Sequence, residues 1–160
     1  MYLRHNGQPI LIEEYIDGRE INIPLLELED GTVKVFPISE IVFDDWPTDK
    51  PKIVNYAAKW DEQAFEYENT NRTFHPEGAP LDYLEKLALK CWRLFRLRGY
   101  ARVDARMDKD GNIFIIEINA NPCIADGSGF MRSMSEGGLE AKAVVKNLLW
   151  APLRHTNRGR

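Results

Sequence analysis

The sequence predicts an α+β domain: an antiparallel β-sheet with helices packed on it. Three observations carry that prediction. Residues 99–119 read as two strands joined by the turn sequence Asp108-Lys109-Asp110-Gly111. Residues 10–38 hold three more strand-like runs, punctuated by Asp17-Gly18 and Glu29-Asp30-Gly31. Between these regions and again near the end, apolar residues recur at helical spacing, which supplies the second layer.

Taken in order, residues 10–16 are apolar apart from Glu13 and Glu14 and read as a strand entering from Pro9. Residues 19–28 alternate in period two, and Pro24 within them suggests a bulge or an edge position because proline cannot donate to a ladder. Residues 32–38 make a third strand. The acidic stretch Asp44-Asp45-Trp46-Pro47-Thr48-Asp49 follows, and 52–78 hold little pattern beyond a strand candidate at 52–56. The whole of 44–78 reads as an irregular, mobile loop region of the kind that often forms lids or binding loops. Pro80 is tolerated in the first turn of a helix running to about Arg98. Its apolar face is Leu81, Leu84, Leu87, Ala88, Cys91, Leu94 and Phe95, which places Cys91 in the core. A short helix near 130–135, a last helix over 139–150 and a basic tail at 154–160 complete the reading. One domain, 1–160, is expected.

The hairpin at 99–119 carries the chemistry. Alternation puts Arg102, Asp104 and Arg106 on one face of the first strand, and Ile113, Ile115, Glu117 and Asn119 on one face of the second. Pairing Met107 with Asn112 sets Arg102 opposite Glu117; centring the turn on Asp110-Gly111 sets Asp104 opposite Glu117. Either register leaves Arg102, Asp104, Glu117 and Asn119 on one surface, whereas a three-residue loop flips one strand and breaks the arrangement. Charges alternating along a hairpin usually mark a solvated face. Here Phe114, Ile116 and Ile118 on one face, with Ile113 and Ile115 on the other, suggest a strand buried on both sides. An unpaired carboxylate at the end of such a strand is costly, and a metal ion or Arg102 offsets that cost.

Composition sets the broad class. With 44% hydrophobic and 29% charged residues and a net charge of −4, the chain is an ordinary globular one with no general grip on nucleic acid or anionic membrane. No apolar run approaches a membrane span, the first residues lack a signal-peptide core, and two cysteines without CxxC spacing fit a reducing compartment. Cytoplasm is the expected location. His5, His75 and His155 show no ligand spacing, which disfavours a metal hydrolase that needs an activating histidine.

The segment Glu13-Glu14-Tyr15-Ile16-Asp17-Gly18-Arg19-Glu20 places four acids across a tight turn. An exposed hairpin tip is one reading; an adenosine clamp, with backbone on the adenine edge and a carboxylate on the ribose hydroxyls, is the other. E-E-Y-I-D-G-R-E, a helix, G-Y-A-R-V-D, a D-K-D-G turn and I-I-E-I-N-A-N-P together resemble, from about residue 9 to 150, the C-terminal part of ATP-grasp ligases, the D-alanine–D-alanine ligase group above all.

The resemblance implies that the backbone of Glu13, Glu14, Tyr15 and Ile16 holds adenine and that Glu20 holds the ribose. It implies that Asp104, Glu117 and Asn119 ligate two Mg²⁺ ions, with Glu117 bridging. Arg102 would stabilise an acyl phosphate and the tetrahedral oxyanion, Lys59 would cover the phosphates from a mobile loop, and Ser128 would hold a substrate carboxylate. The implied partners are ATP, small amino-acid or peptide substrates and an N-terminal part of the same enzyme, with a homodimer allowed. The implied reaction is amide formation through an acyl phosphate, protected from water by loop closure. The family's N-terminal and central domains are not in these residues, so little ligase activity is expected of the chain alone.

Two departures bear on substrate. Trp60 follows Lys59 where these ligases usually have tyrosine, and Cys123-Ile124-Ala125-Asp126 follows Pro122 where they usually read Pro-Gly-Met-Thr. Asp126 suggests an amine-bearing substrate, and Cys123, without a His/acid partnership, reads as pocket lining. The alternative function is a non-catalytic nucleotide-binding or interaction module. Joint presence of Glu20, Arg102, Asp104, Glu117 and Asn119 weighs against it.

Overall fold

The computed structural model describes residues 2–5 and 7–156, and the side chains of residue 7 and residues 9–153. A small antiparallel hairpin, β1 (Tyr2–His5) and β2 (Gln8–Leu11), comes first. The predicted strand at 10–16 therefore ends at Leu11. Leu11 and Ile12 are exposed, so nothing apolar holds the run in a sheet.

The main sheet is antiparallel throughout, confirming the predicted class. Its centre is β3 (Arg19–Glu27), paired along its length with β7 (Tyr100–Met107), from Arg19 opposite Met107 to Leu26 opposite Tyr100. The other side of β3 is shared by β5 (Ser39–Phe43), opposite Glu20 to Asn22, and β4 (Val33–Val35), opposite Leu25 to Glu27. Pro24 lies in this central strand, fully buried, and marks neither a bulge nor an edge strand. In an antiparallel ladder a residue's N–H and C=O point to the same side. The Pro24 carbonyl accepts from the Phe36 amide at 3.0 Å, so its missing N–H falls where β5 hands over to β4.

The stretch 44–78 is more ordered than its sequence suggests. It holds α1 (Tyr56–Trp60), α2 (Phe65–Glu68) and β6 (Thr70–Phe74), which pairs with β5; 52–56 form no strand. One-turn helices are too short to show a period. Asn55 caps α1 by accepting from the Ala58 amide at 2.9 Å, and Trp46 packs between Phe43 and Phe65. Lys50 pairs with Glu66 across that cluster.

Helix α3 (Leu81–Leu94) covers one face of the sheet. Leu84, Ala88, Cys91 and Trp92 meet Ile21, Ile23, Leu25, Ala101 and Val103, most of them without any solvent exposure. On the other face, helices pack at the Leu26–Tyr100 end. There α4 (Gly129–Glu136) and α5 (Ala141–Thr156) pack Phe130, Met134 and Val144 on Leu26 and Phe36. Helix α5 continues through Pro152 past the predicted end at 150, with Ala151 buried. Of the expected tail at 154–160, residues 157–160 lie outside the described residues.

The hairpin's register combines the predicted alternatives in an unexpected way. Beside the turn, Met107 pairs with Ile113 and Ala105 with Ile115, the odd register that the sequence reading set aside. A bulge then inserts Ile116 into β8 (Ile113–Asn119), and beyond it Asp104 faces Glu117 and Arg102 faces Asn119. Ile113 and Ile115 consequently lie on the opposite face from Glu117 and Asn119. Strand β8 is also the sheet edge, with Phe114, Ile115 and Ile116 exposed, so the prediction of a doubly buried strand does not hold.

Gly18 enters β3 with φ of 151°, and a Cβ there would lie 2.1 Å from the Met107 carbonyl oxygen. Gly18→Ala should destabilise the protein by about 2 kcal/mol or more. Urea unfolding of wild type and variant checks this.

Candidate active site

Even-numbered residues of β3 and β7 line the face opposite α3. Across these strands the pairs run Leu26–Tyr100, Pro24–Arg102, Asn22–Asp104 and Glu20–Arg106. The first pair is buried under α4; the remaining length leaves a charged face. Strand β5 adds Ser39 opposite Asn22, β6 adds Arg72 opposite Ile41, and β8 adds Glu117 and Asn119. The structure thus brings Arg102, Asp104, Glu117, Asn119 and Glu20 onto one surface.

Asp104 is its centre. Arg102 grips it with two hydrogen bonds, Nε to Oδ1 at 2.7 Å and Nη2 to Oδ2 at 2.8 Å. Asn22 Nδ2 donates to the same Oδ1 at 2.9 Å. Asp104 is 4% exposed, so this pairing is what makes an ionised carboxylate tolerable there. Burial disfavours the Arg102 charge, but hydrogen bonding and attraction to Asp104, with Glu117 and Glu20, outweigh it and raise its pKa. Arg72 Nη1 donates to Asn22 Oδ1 at 2.8 Å and to Ser39 Oγ at 2.5 Å. That pins the Asn22 amide with its Nδ2 toward Asp104.

Glu117 sits directly opposite Asp104, an arrangement in which like charges repel unless a cation intervenes. The Glu117 carboxylate is exposed and makes no side-chain hydrogen bond among the described residues. Asn119 Oδ1 accepts from the Asn121 amide at 2.9 Å. Among the described residues no three Asp, Glu, His or Cys side chains converge. The hard-oxygen set is two facing carboxylates and one amide, which suits Mg²⁺.

At the far end Arg106, 5% exposed, ties the acidic turn to the sheet. It donates to Gly18 O at 3.0 Å and Lys52 O at 2.9 Å, lies over the Tyr15 ring, and reaches Glu20 at 3.4 Å. Tyr15 OH in turn accepts from the Lys52 amide at 3.0 Å. Tyr15 is thereby held beside Arg106, which also reaches Glu20, and residues 13–16 join no ladder. Burial is the main cause that raises the Glu20 pKa from 4.5, with Arg106 opposing, Asp104 adding, and Lys59 and Arg102 opposing. The folded state then binds more protons above pH 4.5, so stability falls as pH rises through the raised pKa. Glu20→Gln should lose that component: in urea titrations from pH 4 to 7, wild type declines relative to the variant.

Lys59 is an exposed residue of α1, close enough to influence Glu20. Ser128 caps α4: its Oγ accepts from the Met131 amide at 3.4 Å and donates to Cys123 O at 2.7 Å, so its proton is committed locally. Cys123, Asp126 and Trp60 are exposed. Sequence reasoning missed Asn22, Ser39 and Arg72. Asn22 was accessible through its spacing from Glu20; Ser39 and Arg72 lay in stretches without a recognised strand.

An antiparallel sheet with helices packed on it, here bearing a charged face with facing carboxylates and a paired arginine, matches the ATP-grasp class of ligase folds. Within that class, residues 2–150 match the family model described as D-ala D-ala ligase C-terminus, and the chain belongs to that family. It is 33% identical over 160 residues to D-alanine–D-alanine ligase A of Mesorhizobium japonicum, and 25% over 140 residues to D-alanine–D-alanine ligase of Aquifex aeolicus. These alignments take in 98% and 88% of this chain but 42% and 43% of the relatives. The chain therefore spans less than half the length of the curated relatives it matches. D-alanine–D-alanine ligase of Bacillus anthracis superposes with a TM-score of 0.67 at 25% identity, over 92% of this chain and 44% of that one. The same enzyme complexed with ATP gives 0.67 at 23%. Among the described residues no helix is long and apolar enough to cross a membrane.

Proposed function

We propose that this chain is the Mg-ATP-binding portion of an ATP-dependent carboxylate–amine ligase that forms an amide bond through an acyl phosphate. The observation that carries the reading is Asp104 facing Glu117 across the bulged hairpin, with Arg102 bound to Asp104. Residues 13–16 would hold adenine and Glu20 the ribose, since Arg106 presents that segment at the same face. Asp104, Glu117 and Asn119 would hold two Mg²⁺ ions, which supply charge neutralisation for the ATP phosphates.

Asp104 Oδ1 already accepts from Arg102 and Asn22 whereas Oδ2 accepts only from Arg102, so ligation would use the open side of Oδ2 or follow release of Asp104 by Arg102. Released, the guanidinium is free to face the acyl phosphate and then the oxyanion formed as the amine attacks. Lys59, on α1 and close enough to act on the Glu20 charge, would meet the phosphates from the loop side. Ser128 can meet a substrate carboxylate only by giving up Cys123 O. A cytoplasmic location and a partnership with the family's N-terminal domains belong to the same proposal.

Calorimetric titration of ATP with and without Mg²⁺ tests it. The nucleotide response should require Mg²⁺, and Glu117→Gln should weaken it about 10- to 100-fold. Equal Mg-dependent binding by wild type and variant removes Glu117 from the metal role.

A further inference from the structure

Arg72 is built in more firmly than a surface arginine needs to be. Its Nη1 is held by Asn22 and Ser39, which are 3% and 0% exposed. Its Nε and Nη2 meet no protein acceptor among the described residues, yet neither is sealed from solvent. That pair of donors is the edge with which a guanidinium grips a carboxylate bidentately. The plane rests on Gly129, the first residue of α4: a Cβ there would lie 2.5 Å from Nη2 and 2.8 Å from Cζ.

Charge around this edge is unbalanced. Arg72 faces Arg102, Arg132, Asp104 and Glu20, and Asp104 is already taken by Arg102. Burial first, then Arg102 and Arg132, lower the Arg72 pKa to about 10. Arg132, one turn into α4, is exposed and has no side-chain partner among the described residues. The nucleotide-type segment reaches the face from the Arg106 end, whereas α4 meets it through Phe130 on Tyr100 at the other. Asp126, which suggested an amine-bearing substrate, is exposed, makes no side-chain bond among the described residues and is not among the main charges acting on Arg72.

We propose that Arg72 and Arg132 form a seat for a second carboxylate on the amino-acid substrate, so that the substrate is a dicarboxylic amino acid. This rests on the ligase reading above. Arg72 uses its Nε/Nη2 edge, Arg132 adds charge from α4, and Gly129 leaves the space in which the edge lies. Arg102 keeps its own role at the reacting carbonyl.

The test follows the arginine Nε–H signals of the 160-residue protein by NMR during titration with glutarate, butyrate or inorganic phosphate. Glutarate should move the Arg72 and Arg132 signals and bind at least tenfold tighter than butyrate. Arg72→Gln should abolish that preference. Gly129→Ala, which keeps every charge, should do the same by displacing the guanidinium. If Arg72→Gln does not fold, Arg132→Gln and Gly129→Ala decide; an unchanged preference in both overturns the proposal. Equal affinity for glutarate and butyrate also overturns it, and tighter phosphate binding assigns the seat to a phosphoryl group instead. The Mg-ATP titration is separate. Its failure with the glutarate preference intact sinks the ligase reading and spares the seat; the reverse sinks the seat alone.

Discussion

Arg102→Ala should destabilise the protein by about 3–5 kcal/mol, the effect of leaving a buried carboxylate without its counter-charge. The Asp104 side chain is 5% exposed, and Asn22 would remain as its hydrogen-bond donor. A single amide donor does not replace a bidentate guanidinium. Adding Asp104→Asn to the variant should recover much of the loss, because the uncompensated charge goes with it. Urea unfolding of both single variants and the double variant measures this coupling. Stability of Arg102→Ala within about 0.5 kcal/mol of wild type would mean that the pair contributes as little as an exposed ion pair.

Phe130→Ala should cost about 3–5 kcal/mol, the usual range for truncating a fully buried aromatic side chain. Phe130 is 0% exposed and stands edge-on to Tyr100 with ring centroids 5.5 Å apart. With Met134 it is the main apolar tie between α4 and the sheet, in a cluster that Val144 of α5 completes. Because Gly129 precedes it, loosening Phe130 should also loosen the backbone against which Arg72 rests. Thermal unfolding checks the first effect. Loss of the glutarate preference at temperatures where the variant is still folded checks the second.

Much of this was legible in the sequence because it depends on period and local turn chemistry. Alternation in residues 99–107 put Arg102, Asp104 and Arg106 on one face, and the structure keeps them there and brings Glu20 of β3 alongside. The amphipathic pattern of α3 was equally plain, and its buried residues include the predicted Leu84, Ala88 and Cys91. Local pattern failed where an element is one turn long, as in α1 and α2. It failed again where apolar content stood in for burial, as along β8, which forms an edge.

The sequence by itself determined the α+β class, the two strands that bear the acids and arginines, and the family to which the motifs point. It did not determine how those strands align. Asp104 faces Glu117 only because Ile116 is left out of the ladder, an extra residue that exchanges the two faces of β8 midway. Simple alternation has no way to register such an insertion. Nor could spacing along the chain place Arg72, which reaches Asn22 from fifty residues away. Such contacts depend on which strands become neighbours, and that is decided by burying both faces of β3 at once: α3 on one, α4 and α5 over the end of the other.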